Sequence, residues 1–158
     1  MEFLLWIENT GIAQWVTGSN SILAYPTVLF VHTLGLSAVI GLSVFINLRV
    51  LGFARGLPLT VLKPFITLVW VAFGLAAVSG ALLLMSTAST KMQSPIFIAK
   101  LVFVGLAVVA QHLTTKRSIG NPQADVSPLP RQAHVLALCS LLLWVAATTA
   151  GRLIAYLG

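Results

Sequence analysis

Four long apolar stretches alternate with short polar ones along this chain, and the first sets the reading for the rest. Residues 22–48 read ILAYPTVLFVHTLGLSAVIGLSVFINL, without a Lys, Arg, Asp or Glu. At about 1.5 Å per residue, a helix of that length crosses a hydrocarbon core of roughly 30 Å. The same pattern recurs downstream and predicts spans over about 21–49, 60–86, 95–117 and 131–157. Short connections between them predict an all-α membrane protein: one membrane domain, a four transmembrane helix up-down bundle. Residues 1–20 are too short and too polar to span. Phe3, Leu4, Trp6, Ile7 and Trp15 predict an interfacial helix there, with the tryptophans at headgroup level.

Small and cyclic residues refine the pattern. Pro26 falls in the first turns of its span, where it is tolerated. Gly35, Ala38 and Gly41 in span one, and Gly74, Ala77, Gly80 and Ala81 in span two, would let a helix or a flat ligand approach closely. Residues 118–130, SIGNPQADVSPLP, read as a loop outside the lipid.

Composition agrees with the lipid reading. The chain is 58% hydrophobic and 8% charged, where a soluble domain carries about 25% charged residues. A net charge of +6 could suggest nucleic acid, but no basic cluster with interleaved aromatics appears, so no nucleic-acid partner is expected. The partners expected are the bilayer itself and either a larger membrane complex or further copies of the chain. The start, MEFLLWIENT, carries Glu2 and Glu8 and lacks the basic region of a secretory signal. Cys139, alone in an apolar run, can form neither an internal disulfide nor a thiolate metal site, and reads as a small core residue.

The distribution of cations sets an orientation. Arg49, Arg55 and Lys63 lie between spans one and two, and Lys116, Arg117 and Arg131 between spans three and four; the middle loop holds only Lys91. The positive-inside rule then places those two basic loops in the cytoplasm of a bacterial inner membrane, with both termini on the periplasmic side.

Residue numbers now become depths. From Arg49, His32 lies about 25 Å towards the outer side; from Lys116, Lys100 lies about 24 Å and His112 about 6 Å out; from Arg131, His134 is roughly 5 Å and Arg152 roughly 31 Å out. An outer layer therefore holds His32, Lys100 and Arg152, and an inner layer holds His112 and His134. His134 and Arg152 are 18 residues apart, about five whole turns, so they share a face with Leu138, Val145, Thr148 and Thr149. That face, with Tyr156 one turn beyond Arg152, is expected to look into the bundle.

Ionisable groups inside lipid point to function. The three acids, Glu2, Glu8 and Asp125, all lie outside the spans, so Lys100 and Arg152 need an anionic partner from elsewhere. Haem b meets both needs: iron for His32, propionates for Lys100 and Arg152, in a bundle of the kind that holds cofactors between facing helices. Gly35 would relieve crowding against a porphyrin face. His112 and His134 could ligate a second haem or a metal, giving an electron conduit across the bilayer, or bond to each other. The plainer alternatives are a hydrogen-bonded core histidine at position 32, snorkelling for Lys100 and Arg152, and phosphate-facing side chains for His112 and His134. Trp70 and Trp144 read as packing and interface anchors. Met85 and Met92 with one distant Cys make a poor copper site.

PIFIAKLVFVGLAVVAQH resembles the third helix of the HemJ-type bacterial protoporphyrinogen oxidases, with Lys near its start and His near its end. VHTLGLSAVIGLSVFINLRVLG resembles their first helix. The third helix is also similar to that of the copper-resistance D (CopD) membrane proteins. YPTVLFVHTLG with LRVLG, IAKL and GRLIAY resembles a family of small bacterial four-helix membrane proteins over most of residues 20–157. The HemJ resemblance implies a haem b at His32 and a functional lysine at Lys100; the stretch QHLTTKR and the interfacial N-terminal segment depart from that family. The leading expectation is a haem-b-binding protein for electron transfer in a larger membrane complex. A HemJ-like oxidase and a cofactor-free structural subunit are the alternatives.

Overall fold

Proline placement opens three of the four long helices. The structure, a computed structural model, describes residues 2–19, 23–119 and 129–157. Its helices are α1 (Glu2–Glu8), α2 (Gly11–Gly18), α3 (Tyr25–Val50), α4 (Lys63–Met85, preceded by a 3-10 turn over Leu59–Leu62), α5 (Ala88–Lys91), α6 (Pro95–Ser118) and α7 (Arg131–Leu157). Pro26, Pro64 and Pro95 stand in the first turns of α3, α4 and α6, where a missing N–H costs nothing and a fixed φ favours the helix. Ser94 adds a cap to α6 by accepting from the Phe97 N–H at 3.4 Å. No strand occurs among the described residues.

The four helices long and apolar enough to cross a membrane are α3, α4 with its 3-10 turn, α6 and α7. Their limits fall within a few residues of the predicted spans. α3 ends where Gly52 adopts φ +101°, a conformation open to glycine. Arg49 fastens the turn that follows, its Nε donating to the Leu57 carbonyl at 2.6 Å.

α3 packs against α4 and α6 against α7, and the two hairpins join mainly through α3 and α7. The backbones of α3 and α4 approach closely at Gly35, where a Cβ would lie 3.0 Å from the Ala76 nitrogen and 3.2 Å from the Ala72 oxygen. Gly35 thus serves the contact between α3 and α4 rather than a porphyrin face. The buried side of α4 is Val69, Ala72, Ala76 and Ser79, whereas Gly74, Ala77 and Ala81 are exposed. Of the small-residue stripe expected there, only Gly80 meets α3.

On α7 the inward face is Ala133, Ala137, Ser140, Trp144, Ala147 and Ala150. The face expected to look inward points out: Leu138 is 51% and Val145 63% exposed, and Thr148, Thr149 and Arg152 are exposed as well. Lipid tails are as apolar as leucine, so large side chains gain nothing by turning inward, while alanine lets helix backbones approach. Cys139 is likewise exposed rather than in the core. The Tyr156 side chain and residues 120–128, including Asp125, lie outside the described residues.

The N-terminal segment forms two short helices instead of one. Ala13 and Val16 of α2 are buried, with α2 packed on α4 and α3, and α1 reaches α5 in the loop between α4 and α6. Glu8 makes that junction: its Oε1 accepts from both the Ser89 N–H and the Ser89 hydroxyl, each at 2.7 Å. Ser89 lies in the first turn of α5, so the N–H that Glu8 accepts from is one of those left open at a helix start. The N-terminal helices therefore share one end of the bundle with the α4–α6 loop, as an up-down arrangement requires.

Candidate functional site

His32 projects from the second turn of α3 towards α4. Its Nδ1 lies 2.8 Å from the Ala76 carbonyl oxygen and 3.3 Å from Ser79 Oγ. A carbonyl can only accept, so Nδ1 carries the proton. The Ser79 hydroxyl is committed to its own helix, donating to the Leu75 carbonyl at 2.6 Å, which leaves its oxygen to accept from the ring. In the neutral imidazole Nε2 then keeps its lone pair, and it has no hydrogen-bond partner among the described residues. Gly80 makes room for the ring: a Cβ there would lie 2.8 Å from Cε1 and 3.2 Å from Nδ1.

Lys100 of α6 stands at a similar depth to His32 by the helix count. Its half-buried chain passes over α7 at Gly151, with Cε 3.6 Å and Nζ 3.9 Å from where a Cβ of that glycine would sit. Among the described residues its ammonium has no hydrogen-bond or ion-pair partner. α3 thus supplies an imidazole whose tautomer α4 fixes, and α6 carries a cation at similar depth. Arg152 follows Gly151 on α7, but its side chain is on the exposed side.

The inner histidines have separate partners. His112 is exposed and stands edge-on to Trp70 of α4, ring centroids 5.9 Å apart. His134 turns back along its own helix, with Nδ1 3.3 Å from the Pro130 oxygen. No hydrogen bond links the two rings among the described residues, and no group of three or more His, Cys, Asp or Glu side chains gathers there.

A polar cluster that charge counting overlooks occupies the contact of α3, α6 and α7. Asn47 Nδ2 donates to Gln111 Oε1 at 2.8 Å and to Ser140 Oγ at 3.1 Å, and the Ser140 hydroxyl donates to Gln111 Oε1 at 3.1 Å. All three residues are buried. The sequence carried a signal: uncharged polar side chains in three apolar spans, all in the inner half by the same depth count. Between this cluster and His32 lies an apolar layer of Val39, Ala72, Ala107 and Trp144.

The donor chemistry of these residues bears on a haem. A histidine that binds iron almost always gives its other N–H to a carbonyl or carboxylate, which fixes the ring and raises its basicity. His32 has that arrangement, and Lys100 offers the cation that a propionate needs, with no ion-pair partner of its own among the described residues. His32 and Lys100 fit the group; the exposed Arg152 and the separately engaged His112 and His134 add nothing to that fit. No family model, no curated protein and no solved structure matches the chain.

Proposed function

We propose that this protein binds haem b at the outer end of its bundle and serves electron transfer in a bacterial inner membrane, as part of a larger membrane assembly. The observation that carries the reading is the His32 ring, held by Ala76 through Nδ1 with Nε2 free, and the half-buried Lys100 of α6 adds a cation without an ion-pair partner among the described residues. When bound, the haem supplies a one-electron couple. The chain does the rest. His32 offers its Nε2 lone pair, the Ala76 carbonyl holds the ring in the ligating tautomer, and Gly80 leaves the space that the ring fills. Lys100 offers positive charge to a carboxylate that would otherwise stand alone in lipid. The positive-inside rule, applied to the basic loops, supports a position towards the periplasmic side for this site.

The test is an absorption spectrum of the protein purified from cells supplied with haem. A Soret band with reducible α and β bands is expected. A preparation with no Soret band contradicts the reading.

A further inference from the structure

The N-terminal helices hold to the bundle by one side and leave the others open. On α2 the row facing the protein is Ala13 and Val16, both fully buried, with the helix packed against α4 and α3. At about 100° per residue, Ile12 and Trp15 fall on one flank of that row and Gln14 and Thr17 on the other. All four are exposed. One flank is therefore apolar and the other polar, with the protein contact between them.

On α1, Leu4, Ile7 and Glu8 are half-buried, and Glu8 is tied to Ser89 of α5. By the same count Phe3 and Trp6 lie on the far side of the helix, 68% and 65% exposed. Their rings stack with centroids 6.1 Å apart and 18° between planes, so one apolar slab faces away from the protein.

An exposed apolar surface of this kind marks a partner, and three observations name lipid. First, α2 rests on α3 and α4, both long and apolar enough to cross a membrane. Its apolar flank thus joins the surface that spanning helices give to acyl chains, which in the first turns of α3 includes the exposed Leu29 and Phe30. Second, α1 reaches α5 in the α4–α6 loop, so these helices lie where spans leave the hydrocarbon. Tryptophan favours that depth, its ring in an apolar layer and its N–H hydrated. Third, residues 1–20 hold Glu2 and Glu8 and no Lys or Arg, so they offer nothing to anionic headgroups and only apolar area to a bilayer.

We propose that α1 and α2 form an arm lying in the headgroup layer at the end of the bundle that carries the α4–α6 loop, on neutral or zwitterionic lipid. Phe3, Trp6, Ile12 and Trp15 rest on acyl chains, and Gln14 and Thr17 face water. Ala13, Val16 and Glu8 hold the arm to the protein. Unlike the single interfacial helix that the sequence predicts, the arm divides its sides among protein, lipid and water. It is independent of the haem reading.

The experiment is NMR of the indole N–H groups of the whole chain in phosphatidylcholine nanodiscs. Trp6→Phe and Trp15→Phe assign the two signals of the arm, and Trp144 gives the buried reference. Two reagents are compared: a lipid with a nitroxide near the top of its acyl chain, and a water-soluble gadolinium chelate. Trp6 and Trp15 are expected to lose several-fold more intensity to the lipid label than to the chelate, with the same ratio after phosphatidylglycerol is added. Greater loss to the chelate would put these rings in water and overturn the proposal. So would protection from both reagents, which would mean that another protein surface covers them, or a response to the lipid label that appears only with phosphatidylglycerol.

Discussion

The His32 imidazole is seated against Gly80 on α4, where a Cβ would lie 2.8 Å from Cε1. The atom it would strike belongs to the ring, which is also held at Nδ1 by Ala76 2.8 Å away. Ring and hydrogen bond therefore shift together.

Gly80→Ala is expected to displace the ring and destabilise the bundle by about 1–3 kcal/mol, the usual cost of overpacking. Gly74→Ala is the control, because an added Cβ there meets nothing within 4 Å, and it should stay within about 0.5 kcal/mol of the wild type. Thermal unfolding in one detergent compares the two. Equal losses would contradict the seating of His32 on Gly80.

Lys100 allows a prediction of opposite signs for two readouts. A lysine within a span costs about 2.5–3.5 kcal/mol at the bilayer centre and less towards the interface. Lys100→Met should therefore raise the Tm of the haem-free protein while lowering its haem retention, and Lys100→Arg should preserve retention. If the methionine variant keeps its haem as well as the wild type, Lys100 is no propionate partner.

On α7 the prediction concerns faces. Ala147→Leu, on the buried side, should destabilise by about 1–3 kcal/mol through overpacking, whereas Val145→Leu on the 63% exposed side should change stability by less than about 0.5 kcal/mol. Unfolding midpoints of the two variants decide which face is inside.

The helices were legible in the sequence, and their faces were not. Uncharged length marks a span, and Pro26, Pro95 and the terminal cations mark where spans begin and end. The rotation of α7 cannot be read from His134 and Arg152, which stand towards the two ends of the helix, where side chains can turn to the surface. The alanines at 133, 137, 147 and 150 carried the better signal, since close approach needs small side chains. Depth counting puts His32 and Lys100 at one level, and the structure sets the His32 ring on Ala76 and Gly80 of α4. The same counting matched His112 with His134 by depth, but equal depth does not imply one seam: one ring meets Trp70 and the other its own helix. Asn47, Gln111 and Ser140 carry no charge, so a reading of ionisable groups does not single them out.

Docking of the N-terminal helices should depend on pH. The Ser89 hydroxyl, and after it the Ser89 N–H, hold the Glu8 carboxyl below the ordinary glutamate value. A depressed pKa in the folded state contributes stability above the unfolded pKa, and that contribution is lost as pH falls through the lower, folded value. Hydrogen exchange of α1 and α5 should accordingly be protected at neutral pH and rise together under acid, with Glu8→Gln shifted towards the acid behaviour already at neutral pH. Protection unchanged in Glu8→Gln would show that this carboxylate does not anchor the segment.

Haem content per chain, measured after denaturing the protein in alkaline pyridine, tests the central claim most directly when His32→Ala is compared with His112→Ala and His134→Ala. The account predicts that haem is lost only from the His32 variant and that the other two retain the wild-type amount. Wild-type haem in His32→Ala, or its loss only when an inner histidine is removed, would contradict it.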